Sequence, residues 1–154
     1  MELLREFQVD YALIEHDKSG KTSELAADAI GEKRGNIVKS MLLKNDKSEY
    51  LGIVIDGDQR IDFDKVRECA RTEGKFKSNK FSFARPEEIK VALGFDIGGV
   101  PPFAFYMSGI AAFVDSGVMR KDHVVGAGGN EFSGIRFSPK EFSKFGYLVG
   151  AVGK

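Results

Sequence analysis

One lysine interrupts the apolar run Ile37, Val38, Lys39, Ser40, Met41, Leu42, Leu43. A run of that composition suits a buried strand, so an ammonium group inside it either reaches solvent or supplies a fixed positive charge to a site. Ser40 adds a hydroxyl beside it. Two glycine-rich connections, GFDIGGVPPF (94–103) and VVGAGGNEFSGI (124–135), are the other places with chemical potential. Glycine lets a backbone approach a ligand closely, and unpaired N–H groups there bind an anion or an oxyanion. Either segment also reads as an ordinary turn, and neither matches a dinucleotide fingerprint or a phosphate loop. No serine sits in a G-x-S-x-G elbow, and His16 and His123 have no neighbouring base signature. One cysteine and two histidines make no clustered zinc set. No spaced Asp/Glu motif suggests magnesium, so no metal or cofactor is expected.

A third stretch, RTEGKFKSNKFSFAR (71–85), interleaves Arg71, Lys75, Lys77, Lys80 and Arg85 with Phe76, Phe81 and Phe83. Such a mixture suits a modest nucleic-acid patch, and equally a solvated face whose phenylalanines turn inward. The alternation of Phe81 and Phe83 is that of a strand and points to the core. The whole chain is formally neutral, so no global attraction to nucleic acid exists.

These segments need a scaffold. The chain has 154 residues, 42% hydrophobic and 30% charged, as expected of one globular domain spanning 1–154. No apolar run reaches the ~18 residues of a membrane span, and MELLREFQVD lacks a secretory layout, so the expected location is cytoplasmic. ELLREF reads as a short helix and YALIEH as a strand. TSELAADAIGEK reads as a helix with Thr22 or Ser23 as N-cap and Gly31 near its end. NIVKSMLLK and EYLGIVID read as strands around the turn NDKS, and Asp62 caps a helix carrying Cys69, a small core or near-core residue. Pro86 opens a helix that stops at Gly94. SPKEF (138–142) has the pattern of a capping box, with Ser138, Pro139 and Glu141. FAFYM, AAFVD, HVVGA and GIRFS read as further short strands. The expected fold class is α+β, a curved, barrel-like, mostly antiparallel sheet flanked by helices.

In this order, the segments resemble the YbaK/ProX family of aminoacyl-tRNA deacylases, which includes free-standing proteins and the editing insertion of bacterial-type prolyl-tRNA synthetases. The resemblance runs over residues 11–145, from YALIEH with His16, through Thr22 and LAADAIG, to IVKSMLL, where Lys39 takes the place of the signature lysine. Members often carry threonine next, and Ser40 keeps its hydroxyl. GFDIGGVPPF is similar to the glycine-proline loop, with Gly98 and Pro102 at its G-x-x-x-P positions. GAGGNEFSGIRFSPKEF is similar to the closing segment. Two departures fall near the amino-acid pocket: Arg136 where some members place an aspartate, and Ala127 where several place serine.

The resemblance implies hydrolysis of the ester joining a mischarged amino acid to the 3′-terminal adenosine of tRNA. Lys39 is then the catalytic residue. His16, Ser40, Gly98, Gly99, Pro102, Gly128 and Gly129 are the expected substrate-binding positions. The partner is aminoacyl-tRNA, with an aminoacyl-tRNA synthetase as a further candidate, and no membrane. Since 154 residues leave no room for a synthetase catalytic domain, editing is expected in trans, with alanine or cysteine on proline tRNA as the expected kind of substrate. The alternative is an inactive tRNA- or synthetase-binding module on the same fold, favoured by Arg136. A small-molecule-binding domain without an RNA role is the third reading.

Overall fold

Capping residues set most helix boundaries in the computed structural model, which describes residues 2–154. Helix α1 (Glu2–Glu6) leads into strand β1 (Tyr11–Glu15). Helix α2 (Ser23–Ile30) starts at Thr22, whose Oγ1 accepts from the Leu25 N–H at 3.1 Å, and ends at Gly31 in the left-handed region. A 3-10 turn (Arg34–Asn36) enters the hairpin of β2 (Val38–Asn45) and β3 (Tyr50–Asp56). Asn45 is 4% exposed because its Oδ1 closes that turn, accepting from the N–H groups of Lys47 and Glu49.

Asp62 caps α3 (Phe63–Glu73), accepting from Asp64 and Lys65. Then come β4 (Phe81–Phe83) and α4 (Pro86–Leu93), where Glu88 accepts from the Arg85 N–H at the helix start. The chain continues through α5 (Ala104–Met107), β5 (Ala112–Asp115), α6 (Ser116–Met119), β6 (Val124–Ala127) and β7 (Ser133–Phe137). A 3-10 segment (Pro139–Phe145) and β8 (Leu148–Gly150) complete it.

Two expectations are corrected here. FAFYM is the short helix α5 rather than a strand: Phe103 and Phe105 are both buried, and the Tyr106 N–H is tied to Tyr147 Oη. Short apolar runs do not declare their period. The capping box at Ser138 does not form. Ser138 Oγ accepts from Lys140 N–H, while the Glu141 carboxylate pairs with Lys144 at 2.7 Å.

The strands divide into a three-stranded sheet, β1-β7-β6, and a five-stranded sheet, β4-β2-β3-β5-β8. Pairing is antiparallel except at β3–β5 and β5–β8. The two sheets touch through a parallel bridge between Ile37 and Val125, and no closed barrel forms among the described residues. One face of the larger sheet packs Leu43, Ile53 and Ile55 against Val66 of α3. The other packs Val38, Leu42, Val54 and Val114 against an aromatic cluster of Phe103, Phe137, Phe142 and Phe145. Burial on both faces explains the near-continuous apolar sequence of β3. Among the described residues no helix is long and apolar enough to cross a membrane.

Candidate active site

Where β2 loses its neighbour, a cavity opens. Its inner edge is paired with β3 from Val38 to Lys44. On the outer edge β4 pairs only with Leu43 to Asn45, the Leu42 carbonyl accepts from Ala84 N–H just beyond it, and the bridge to Val125 lies at Ile37. Backbone groups alternate direction along a strand, so Ser40 turns its N–H and C=O the way Leu42 does, into this gap. The cavity there has a volume of about 310 Å³.

Its apolar floor is formed by Ala26 and Ile30 of α2, Ile37 and Val38, and Val125 and Ala127. Lys39, Ser40 and Met41 line the β2 side, and Gly98 and Ile97 the opposite loop. His16, Lys21 and Thr22 contribute from the β1–α2 connection and Ser23 from the first residue of α2, so the start of that helix faces the cavity. Lys21 and Lys39 are the charged residues of the lining, which holds no carboxylate.

Lys39 shares its strand face with Met41 and Leu43, whereas Ser40 shares the opposite face with Val38 and Leu42. The lysine thus stands at the rim, half-buried, and burial lowers its pKa below the usual 10.5. Asp58 works against that shift and Arg60 adds to it. His16 follows β1, with its backbone N–H on Phe132 O and its Nδ1 at 2.6 Å from Lys18 O. A carbonyl only accepts, so Nδ1 carries the hydrogen and the neutral ring keeps Nε2 as an acceptor.

The glycine connections divide into lining and framework. Gly98 lines the cavity with a φ of 86°, and a Cβ there would meet Lys21 Cγ at 2.7 Å. Gly99 lies behind it, where a Cβ would stand 2.9 Å from Asn130 Cα, so the two glycine connections lock backbone to backbone. Gly128 closes a turn by donating to Ser133 O at 2.9 Å, and Gly129 sits beside Phe95. Pro102 is buried, pressed on Gly126, and its carbonyl accepts from Tyr147 Oη at 2.8 Å. Gly99, Pro102, Gly128 and Gly129 therefore hold the wall rather than line it. Sequence reasoning missed Lys21, Gly126, Ser133 and Gly134, all of which line the cavity. The first glycine of VVGAGG was the available signal.

Arg136 is not part of the lining. Its Nη2 donates to Glu32 Oε2 at 2.8 Å, in a cluster with Asn36 and His123. Among the described residues no group of three or more metal-ligating side chains assembles.

A family model for the aminoacyl-tRNA editing domain matches residues 17–145. The chain belongs to the aminoacyl-tRNA editing domain family. It is 34% identical over 137 residues to the uncharacterized protein YwhH of Bacillus subtilis (strain 168), covering 86% of this chain and 80% of that one. The crystal structure of hypothetical protein APE2540 superimposes with a TM-score of 0.86 at 27% identity, over 99% of this chain and 97% of that chain. The structure of a candidate trans-editing enzyme for prolyl tRNA synthetase gives a TM-score of 0.77 at 30% identity, over 94% of this chain and 87% of that one.

Proposed function

We propose that residues 1–154 act as a single editing domain that hydrolyses the aminoacyl ester of mischarged tRNA in trans. The observation that carries this reading is a cavity with two lysines, an open strand edge and no carboxylate. The ester is already activated, so the protein's task is to position water and stabilise charge. Water attacks the ester carbonyl carbon, its electron pair moves onto the carbonyl oxygen, and the C–O bond to the ribose then breaks. The proton lost by the water ends on the departing ribose oxygen, with the vicinal hydroxyl as relay. N–H groups of the Ser40 edge and the Gly98 loop are the donors for the transient oxyanion. Backbone carbonyls of the same segments, with His16 Nε2, suit the α-amino group. Lys39, at the rim, holds the phosphate-ribose end.

The apolar lining of Ala26, Ile30 and Val125 suits an uncharged side chain, with alanine or cysteine on proline tRNA as the substrates to try first. The feature that favoured an inactive binding module, Arg136, is engaged by Glu32 outside the cavity. The test is a panel of correctly and incorrectly charged tRNAs, with wild type and Lys39→Ala side by side. One mischarged species is expected to be hydrolysed, with kcat/KM down about 10- to 100-fold in the variant, as for loss of a contact to a charged group. Survival of every ester, or an unchanged rate in a folded Lys39→Ala, sinks the reading.

A further inference from the structure

Lys39 and Met41 also line a second cavity, of about 600 Å³, on the far side of the lysine from the first. Phe83 forms part of its wall. The alternation of β4 predicted a core position, but Phe83 is 52% exposed. The ring is pinned edge-to-face by Phe63, with centroids 5.2 Å apart and an 84° angle. An aromatic side chain held rigid yet half open is a stacking platform.

The charges around it are unequal in their commitments. Of the two acidic side chains in the wall, Asp62 spends its carboxylate on the N–H groups of Asp64 and Lys65, and Asp64 pairs with Arg67 at 3.6 Å. The three cations, Lys39, Arg60 and Lys154, form no ion pair among the described residues. Uncommitted cations around a fixed aromatic ring match the two needs of single-stranded nucleic acid, phosphate neutralisation and base stacking.

We propose that this cavity is a second subsite, which takes the nucleotide immediately 5′ of the terminal adenosine. Its base stacks on Phe83, and the phosphate joining the two nucleotides falls between Lys39 and Arg60. The proposal rests on the first cavity being the ester site, because Lys39 is the residue common to both. It gives the lysine a concrete partner. It also lets the chain recognise a 3′ strand without any need for a large basic surface, consistent with its zero formal charge. Stacking reads any base, so this subsite contributes affinity and register rather than tRNA identity.

The probes are the RNA trinucleotide CCA and adenosine 5′-monophosphate, titrated by NMR into wild type, Phe83→Ala, Phe83→Trp and Arg60→Gln. Wild type is expected to prefer the trinucleotide. Phe83→Ala reduces that preference about tenfold and Phe83→Trp retains it. Arg60→Gln weakens trinucleotide binding and lowers the slope of log affinity against log salt by about one. Arg60 is exposed and unpaired, so its variant remains informative if Phe83→Ala loosens the packing on Phe63. Trinucleotide binding that is absent, or indifferent to both residues in folded protein, overturns the subsite. The ester assay separates the two readings. Phe83-dependent RNA binding without hydrolysis supports the subsite and removes the deacylase. Hydrolysis with RNA binding indifferent to Phe83 and Arg60 removes the subsite alone.

Discussion

A lysine whose pKa is lowered by burial loses its charge earlier on the alkaline side than a solvated one. Lys39 is in that position, with Asp58 only partly compensating. Two consequences run in opposite directions. Contacts that need the ammonium weaken as pH climbs through the folded value, which lies below 10.5. The contribution of Lys39 to folding stability rises over the same interval, because at this residue the unfolded chain still binds the proton while the folded chain has released it. In wild type, trinucleotide affinity is therefore expected to fall over a pH range in which the urea-unfolding midpoint of wild type gains on that of Lys39→Gln. Lys39→Arg, whose guanidinium stays charged up to about pH 12, moves the loss of binding to higher pH. An alkaline limb unmoved by Lys39→Arg would take the ammonium out of the contact.

At the scale of elements, the most consequential polar group is one that no local pattern announces. Asp115 ends β5 at 5% exposure, where its Oδ2 accepts from Gly117 N–H at the start of α6. Its Oδ1 accepts from Val152 and Gly153 N–H at 2.9 and 3.0 Å, pinning the segment after β8. Asp115→Ala leaves three N–H donors without their acceptor and is expected to cost about 3 kcal/mol or more, read from urea unfolding. Asp115→Asn, which keeps one acceptor oxygen, recovers part of that. A loss below about 0.5 kcal/mol would mean that water replaces the carboxylate. Caps such as Thr22, Asp62 and Gly31 were legible in the sequence because their partners lie within a few residues. The partners of Asp115 in the closing segment are 37 and 38 residues away. Range also separates what was legible in the site. Lys39 and Ser40 stood out against their immediate apolar neighbours. The roles of Gly99 and Pro102 as wall supports depend on Asn130 and Gly126, and were invisible. Phe83 misled for a related reason: alternation predicts which way a side chain points, but not whether anything covers that face.

Across the molecule, the cavity depends on α2, the three-stranded sheet and the entry to β2 staying in place together, and one carboxylate ties all three. Glu32 follows the end of α2, with its side chain only 9% exposed. Its Oε1 accepts from Asn36 Nδ2 at 2.9 Å, just before β2, and from His123 Nε2 at 3.2 Å, just before β6. Its Oε2 accepts from Arg136 of β7 at 2.8 Å. The Asn36 hydrogen bond, with Arg136 and His123, outweighs burial and holds the carboxyl at about 2 rather than 4.5. A depressed carboxyl contributes its stability in full above the unfolded value and loses it as pH falls toward the folded one. Because the Arg136 and His123 side chains are 42% exposed, solvent screening brings the contribution to about 2 kcal/mol. Urea unfolding of wild type and Glu32→Gln should therefore differ by about 2 kcal/mol near neutrality, with the gap closing as pH drops from 4.5 toward about 2. Glutamine keeps the volume and one acceptor, so closure of the gap isolates the charge. A gap that persists unchanged through that interval would assign the loss to packing, and the charge would then have no part in joining the two sheets beyond the apolar core they share.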